Sequence, residues 1–244
     1  MAAAMARGWA GAEGGPKTTL FCDLDADRAR SLSDEVRGEV RPSLRALAVD
    51  SDLVVLAVKP AALDAVAEEL DGKAPALVSV LAATSTPRLS GLFPGVPVLR
   101  VMPNQPVAVR RGVLCHAPAV GMSGELHGMV LRLLGELGTL VPLEERLMDA
   151  AMAIMSCSPA YIALVAEALA RGGEKEGLEP RVAGDLVSGA LAGTAELLRE
   201  RDPGTIREAV APPGGATEAG LAQLEGVVDD AFMNAVEASL ERVR

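Results

Sequence analysis

The sequence predicts an α/β protein in two parts, a doubly wound domain of alternating strands and helices followed by an all-helical domain. The first part is indicated by short apolar runs that end in charge or proline, with helix-spaced apolar residues between them. The second is indicated because this alternation stops after residue 120, and helical spacing then dominates to the end of the chain. We therefore expect one domain over residues 1–120 and another over residues 121–244.

Sequence periodicity defines the elements of the first domain. Met1, Met5 and Trp9 recur every four residues, as on one face of a helix. The run D-L-V-V-L-A-V is continuously apolar and bounded by charge, which is typical of a buried parallel strand. By such patterns we predict helices over residues 1–12, 26–36, 61–70 and 86–92, a brief helix capped by Ser43, and strands over residues 17–23, 52–58, 76–81, 96–102 and 111–116.

Beyond a Pro- and Gly-rich linker at residues 118–123, the sequence predicts a helix through Leu137 and an edge strand over residues 139–143. The remaining helices carry apolar stripes, and the helix near residues 182–200 has a surface of glycine and alanine where another helix can approach closely. Because these helices carry few bulky side chains, we expect them to pack against a second subunit.

The composition limits the functions that are possible. Of 244 residues, 50% are hydrophobic, which is ample for a buried core. Aromatic residues are only 2% and the net charge is -10, whereas nucleic-acid binding requires basic surfaces and stacking rings. Cys22, Cys115 and Cys157 are too scattered for a disulfide framework or a metal cluster. We expect a soluble cytoplasmic protein without a nucleic-acid partner or a metal. Because no uninterrupted apolar run reaches about 18 residues, we also expect no membrane span.

The segment 210–225, V-A-P-P-G-G-A-T-E-A-G-L-A-Q-L-E, combines a bare turn with a helix start. Two prolines end the preceding helix, and two glycines allow positive φ and close approach of the backbone to a small molecule. Thr217 falls in the first turn of the next helix, where unpaired amides attract a carboxylate. The alternative interpretation is a plain helix start in which Thr217 caps its own backbone.

Four stretches resemble, in the same order, those of the pyrroline-5-carboxylate reductase family. They are A-V-K-P, R-V-M-P-N, S-P-A-Y followed by E-A-L-A-R-G-G-E-K-E-G-L, and P-G-G-A-T-E-A-G-L-A-Q-L-E. The resemblance implies a Rossmann-like dinucleotide-binding domain, an all-helical dimerisation domain and a homodimer or higher homo-oligomer. It also implies the last step of proline biosynthesis, the reduction of 1-pyrroline-5-carboxylate to L-proline with NADPH or NADH.

The resemblance also implies roles for individual residues. Gly214, Gly215 and Ala216 would bind the carboxylate of the cyclic imino acid, and Thr217 would bind substrate and place its hydroxyl near the ring nitrogen as the catalytic group. The implied cofactor contacts are Ala2, Asp23, Ala57, Val58, Lys59, Pro60, Ala82, Ala83, Met102, Pro103 and Asn104. The chain departs from the family at Pro212, where a serine is usual, at Gln105, where a threonine is usual, and at residues 155–158, M-S-C-S in place of S-G-S-G.

The expected sheet lacks its first strand. A sheet of order 3-2-1-4-5-6 places that strand between those predicted at residues 17–23 and 52–58. No residues precede the helix at Met1 to form the strand or its Gly-rich loop. We expect a start at an internal methionine that omits roughly ten residues, and hence weak dinucleotide binding. The alternative is a true short form whose helix caps itself.

Two other functions remain open at the level of sequence. One is a non-catalytic or cofactor-impaired relative that acts through its helical domain, and the other is a hydroxyacid dehydrogenase, whose Gly-x-x-x-Lys-x-x-Asn motif is not visible here. The dinucleotide itself is also open. Asp23 would repel a 2′-phosphate, so NADH should compete well, although Arg28 and Arg30 follow one turn or more later.

Overall fold

The structure, a computed structural model, describes residues 1–242 and forms two compact units. The first comprises Met1–Cys157 with the C-terminal end from Leu240, and the second comprises Ser158–Ser239. The units thus divide between Cys157 and Ser158, later than the boundary at residues 120/121 that the sequence indicated.

The first unit alternates helices and strands as the sequence predicts. Its helices are α1 (Ala2–Ala10), α2 (Ala26–Val36), α3 (Leu44–Val49), α4 (Leu63–Leu70), α5 (Thr86–Leu92), α6 (Gly124–Gly135) and α7 (Met148–Ala151). Short 3₁₀ helices span Pro60–Ala62, Gln105–Val109 and Glu145–Leu147, and a π-helix spans Met152–Ser156. The strands are β1 (Leu20–Phe21), β2 (Glu39–Val40), β3 (Val54–Leu56), β4 (Leu77–Ser79), β5 (Val98–Pro103), β6 (Gly112–His116) and β7 (Gly138–Pro142).

The strands form two sheets. β1 and β2 pair in parallel, and the second sheet has the order β3-β4-β5-β6-β7. β3, β4 and β5 are parallel, β6 is antiparallel to β5, and β7 pairs in parallel with β6 at the sheet edge. Strand pairing is therefore interrupted between β1 and β3, where a continuous doubly wound sheet would have one more strand.

Side chains that alternate along the central strands fill a core on each face of the larger sheet. Leu99 and Val101 pack with α1 and α6, whereas Leu77 and Val98 pack with α4 and α5. The indole Nε1 of Trp9 donates to the backbone oxygen of Leu133 at 2.8 Å. Residues after 120 therefore belong to the first unit because α6 covers its sheet and β7 extends it.

The second unit is helical. It contains α8 (Ser158–Lys175), α9 (Pro180–Leu197), α10 (Pro203–Val210), α11 (Ala216–Leu221) and most of α12 (Val227–Glu241). Ala183 is its one buried hydrophobic residue, while Leu164 and Met233 are among many apolar side chains that lie exposed. As the sequence indicated, helices built from small residues leave this unit with almost no core of its own.

One stretch, Glu145–Lys175, is long and apolar enough to cross a membrane by length and composition alone. That is weak support for a span, because the apolar helices of soluble proteins pass the same test. The stretch is also not one continuous α-helix, since 3₁₀ and π segments precede α8.

Most predicted elements are confirmed, but β1, β3 and β4 are shorter than predicted, the π-helix was not predicted, and two further elements differ. The helix predicted over residues 61–70 begins as a 3₁₀ turn at Pro60 because a proline fixes φ and lacks an amide donor. The strand β2 was not predicted, because it consists of one polar and one apolar residue, Glu39 and Val40, which are too few to show a period. Ser43 caps α3 as expected, with its side chain accepting from the amide of Ala46.

Candidate active site

Three of the predicted cofactor segments lie at one edge of the larger sheet. The carboxyl ends of β3, β4 and β5 lead into residues 57–60, 82–83 and 104 respectively. Because these strands are parallel and in register, with Leu56 opposite Ser79 and Ser79 opposite Arg100, their ends point the same way. The fold therefore brings together segments that are far apart in sequence.

The first segment, after β3, is open to solvent. Ala57 and Val58 are half-buried, whereas Lys59 and Pro60 are exposed. Within residues 1–242 no ion pair involves Lys59. An uncompensated ammonium at the carboxyl edge of a parallel sheet is suited to an anionic group such as a pyrophosphate.

The second segment, after β4, has an unusual backbone. Ala83 adopts the left-handed region with φ 51, which costs an L-residue energy relative to glycine. The buried hydroxyl of Thr84 donates to the backbone oxygen of Ala82 at 3.1 Å and so holds the turn. Strained backbone of this kind recurs where loops face ligands.

The third segment, after β5, is buried. Met102, Pro103 and Asn104 are all inaccessible, and Asn104 is only 7% exposed. The side chain of Asn104 is occupied within the protein: Oδ1 accepts from the amide of Val113 at 2.9 Å, and Nδ2 donates to the backbone oxygen of Met155 at 3.1 Å. The side chain of Asn104, predicted as a cofactor contact, is therefore directed to partners within the protein.

At the end of β1, the predicted ribose contact Asp23 is exposed and partnered. Its Oδ1 accepts from the amide of Asp25 at 2.9 Å, and its Oδ2 lies 3.9 Å from a guanidinium nitrogen of Arg28. Asp25 in turn caps α2 by accepting from the amides of Asp27 and Arg28. Ala2, the remaining predicted contact in this unit, is exposed in the first turn of α1.

The glycine-rich turn and Thr217 belong to the second unit. Gly214 has φ 74, and its amide donates to a carboxylate oxygen of Glu218 at 2.7 Å. Gly215 is the N-cap of α11, and its amide donates to the backbone oxygen of Pro212 at 2.9 Å. Thr217 is exposed, and α11 has no side-chain cap hydrogen bond at its N-cap Gly215, so the structure gives no support to the alternative in which Thr217 caps its own backbone.

A charged network that the motifs did not indicate lies behind the third segment. Arg100, in the middle of β5, donates to Glu145 at 2.6 Å and to Asp149 at 3.1 Å, while the amide and hydroxyl of Thr86 donate to Glu145 at 3.0 and 2.6 Å. The signal was present, since an arginine inside a buried apolar strand must have partners. Which acids they are depends on the fold.

The other cysteine and histidine side chains within residues 1–242 do not form a second reactive site. The three cysteines are free, and burial raises the pKa of the Cys115 thiol, which disfavours the nucleophilic thiolate. Burial likewise lowers the pKa of His116. Among the residues that the structure describes, no group of three or more His, Cys, Asp or Glu side chains is arranged to hold a metal ion.

These observations fit a dinucleotide. Parallel strands end at one edge beside Lys59, which has no ion pair within residues 1–242, a strained turn follows β4, and Asp23 lies two residues after β1. Residues 1–83 match the family described as "NADP oxidoreductase coenzyme F420-dependent", and residues 145–244 match that described as "Pyrroline-5-carboxylate reductase dimerisation". The protein is thus an oxidoreductase of the NAD(P)-dependent class with a Rossmann-like domain.

Comparison with individual proteins identifies the family within this class of oxidoreductases. The chain is 34% identical over 232 residues to the pyrroline-5-carboxylate reductase of Synechocystis, covering 93% of this chain and 87% of the relative. It is 35% identical over 218 residues to that of Thermus thermophilus, covering 88% and 83%. The crystal structure of the Plasmodium falciparum enzyme with NADP bound superposes with a TM-score of 0.86 at 26% identity, covering 98% and 92%. The chain belongs to the pyrroline-5-carboxylate reductase family.

Proposed function

We propose that this protein reduces 1-pyrroline-5-carboxylate to L-proline with NADPH or NADH. The observation that carries the proposal is the similarity to reductases of this name over most of the chain, because it includes both units and not the nucleotide domain alone. In support of it, two of the four stretches that resemble the family, A-V-K-P and R-V-M-P-N, lie at the carboxyl ends of β3 and β5, and P-G-G-A-T-E forms a glycine turn before α11.

The substrate would bind through the second unit. We propose that Gly214, Gly215 and Ala216 donate amide hydrogens to the substrate carboxylate. In the structure the amide of Gly214 donates to a carboxylate oxygen of Glu218 at 2.7 Å and that of Gly215 donates to the backbone oxygen of Pro212 at 2.9 Å, so the substrate carboxylate would replace these partners. Thr217 would hydrogen-bond the ring nitrogen and supply or relay its proton, and in support of this its hydroxyl is exposed and takes no part in capping α11.

The cofactor would lie along the first unit. The bound dinucleotide supplies a hydride to the imine carbon, so the protein's task is to position the two reactants. Lys59 would neutralise phosphate charge. The strained turn at Ala82 and Ala83 would pack against the nicotinamide ring. Asp23 would receive the adenosine ribose, with Ala57, Val58, Pro60, Met102, Pro103 and the first turn of α1 at Ala2 completing the contacts. These roles rest on position in the fold and on the family resemblance.

The helical unit would form a homodimer or a larger homo-oligomer. A unit whose one buried hydrophobic residue is Ala183 exposes apolar area that a second copy would cover. That area includes much of α8, which accounts for the apolar stretch Glu145–Lys175 without a membrane. Such an assembly fits a soluble enzyme in the cytoplasm.

Purified protein incubated with pyrroline-5-carboxylate and each reduced dinucleotide tests this function. We expect loss of nicotinamide absorbance and stoichiometric proline, together with the mass of a dimer or larger assembly by light scattering. A folded protein that forms no proline with either dinucleotide would favour the non-catalytic alternative, and dinucleotide titration would then show whether cofactor binding has also been lost.

A further inference from the structure

The side chain of Asn104 connects two segments of the first unit that are distant in sequence. Its Oδ1 accepts from the amide of Val113 in β6, and its Nδ2 donates to the backbone oxygen of Met155, which lies 51 residues away. At 7% exposure, this amide has both its acceptor and a donor satisfied by backbone groups. It is therefore an internal bridge.

Met155 lies within the π-helix Met152–Ser156, which immediately precedes Cys157 and α8. π-helical turns are rare and occur mostly as local insertions at functional sites. A second contact joins the same two segments, because the hydroxyl of Ser156 lies 3.3 Å from the backbone oxygen of Pro103 and 2.9 Å from the sulfur of Met155, and its one proton is shared between these two acceptors. The end of β5 is thus attached to the π-helix twice, through Pro103 and Asn104.

The chain segment that precedes the π-helix is also bonded to β5. Arg100, four residues before Asn104 on β5, holds Glu145 and Asp149, which precede the π-helix. The segment from Glu145 to Ser156 is therefore bound to β5 at both of its ends. A displacement of the π-helix would break these hydrogen bonds and leave buried polar groups without partners, which is unfavourable.

We propose that Asn104 is a positioning residue, which acts by tying the loop after β5 to the π-helix that leads into α8. In this role its amide does not bind the cofactor; it fixes the backbone of Met102 and Pro103 relative to Met155 and Ser156. The catalytic consequence rests on the proposed function, whereas the bridge itself does not. Residues 155–158 are also where the chain departs from the family, so the bridge would fix a segment particular to this protein.

Hydrogen exchange on the dinucleotide-free protein tests the bridge directly. Asn104→Asp keeps an acceptor for Val113 but turns a carboxylate oxygen towards the oxygen of Met155, and Asn104→Leu removes both bonds. We expect exchange of peptides covering residues 145–157 to rise about tenfold or more, as loss of one buried bond predicts. Ser156→Ala is a milder variant that should raise the same exchange to a smaller degree. Gln105→Glu is the charge-matched control, because Gln105 is exposed, and it should leave exchange unchanged.

Kinetics and direct titration then distinguish positioning from cofactor binding. We expect Asn104→Asp to lower kcat about tenfold, with the Kd for NADPH, measured by its fluorescence, changed less than about threefold. Unchanged exchange at residues 145–157 in all three variants would overturn the bridge. A Kd that weakens in proportion to kcat would instead make Asn104 a cofactor ligand and overturn its positioning role. An inactive wild-type protein would refute the proposed function while leaving the exchange result decisive for the bridge.

Discussion

The guanidinium of Arg100 donates to the carboxylate of Glu145 at 2.6 Å across 45 residues of sequence, and only 4% of the Arg100 side chain is exposed. Glu145 also accepts two bonds from Thr86, so one carboxylate joins β5, the start of α5 and the 3₁₀ turn before α7. Glu145 is partly exposed, but Arg100 is buried, and removal of its partner would leave a buried guanidinium without its counter-charge. The network therefore holds the segment from Glu145 to Asp149, which precedes the π-helix, against β5.

Glu145→Gln should destabilise the first unit and reduce the acid sensitivity of the protein. Burial alone would raise the pKa of Glu145, but hydrogen bonds from Thr86 and Arg100 outweigh it and hold the pKa below its usual value. A lowered folded-state pKa stabilises the protein above the unfolded-state value of about 4.3, and this stabilisation is lost as pH falls through the folded-state pKa. We expect a loss of about 1–3 kcal/mol at pH 7 by urea denaturation.

The difference between wild type and this variant should shrink as pH falls below about 4. Glu144→Gln is the matched control. The carboxylate of Glu144 pairs with Arg146 in an exposed ion pair, which should contribute little to stability. Equal losses for the two variants, or a difference that stays constant down to low pH, would contradict the assignment of this stabilisation to Glu145.

Thr217→Val should lower kcat severely and leave the fold intact. The variant removes one hydroxyl while preserving volume, and Thr217 is exposed, so the free energy of unfolding should change by less than about 0.5 kcal/mol. Loss of a group that transfers or positions a proton predicts a decrease in kcat of about a hundredfold or more. Thr217→Ser, which retains the hydroxyl, should recover most of the rate. Parental turnover in the valine variant would exclude a catalytic role.

Ala83→Gly should stabilise the protein. Ala83 has φ 51, a conformation that costs an L-residue about 1–2 kcal/mol, whereas glycine adopts it freely. After the larger unfolded-state entropy of glycine is subtracted, we expect a gain of up to about 1 kcal/mol in urea denaturation. Ala82→Gly serves as the control, because Ala82 is not among the residues with positive φ and should only lose stability. Similar losses for both variants would show that the turn is not strained.

Asp23→Asn should shift cofactor preference towards NADPH. The substitution removes the negative charge that would repel a 2′-phosphate and releases Arg28, whose guanidinium lies 3.9 Å from Asp23. We expect the ratio of the Kd values for NADPH and NADH to fall about tenfold, equivalent to about 1.4 kcal/mol. Asp27→Asn makes the same change of charge on an exposed neighbour that pairs with Arg30. An equal shift in this control would assign the effect to overall charge.

Local patterns predicted most elements of the first unit and the positions of its motifs. The boundaries of α2 and α5 match the expected ranges because side-chain caps, from Asp25 and Ser85, fix where each helix begins. β2 and the π-helix gave no such signal, and the division at residue 157 was not visible because it depends on α6 and β7 packing onto the larger sheet.

The sequence by itself determined the two-part architecture, the family and the residues that its motifs contain, because periodicity, capping and motif spacing are local properties of the chain. Only the tertiary structure decided that Asn104 faces inward to Val113 and Met155, and that Arg100 finds Glu145. These partners lie 9, 51 and 45 residues apart, and strand order and register determine which of them meet. A buried amide or guanidinium in the sequence shows that a partner is required, and the fold alone selects it.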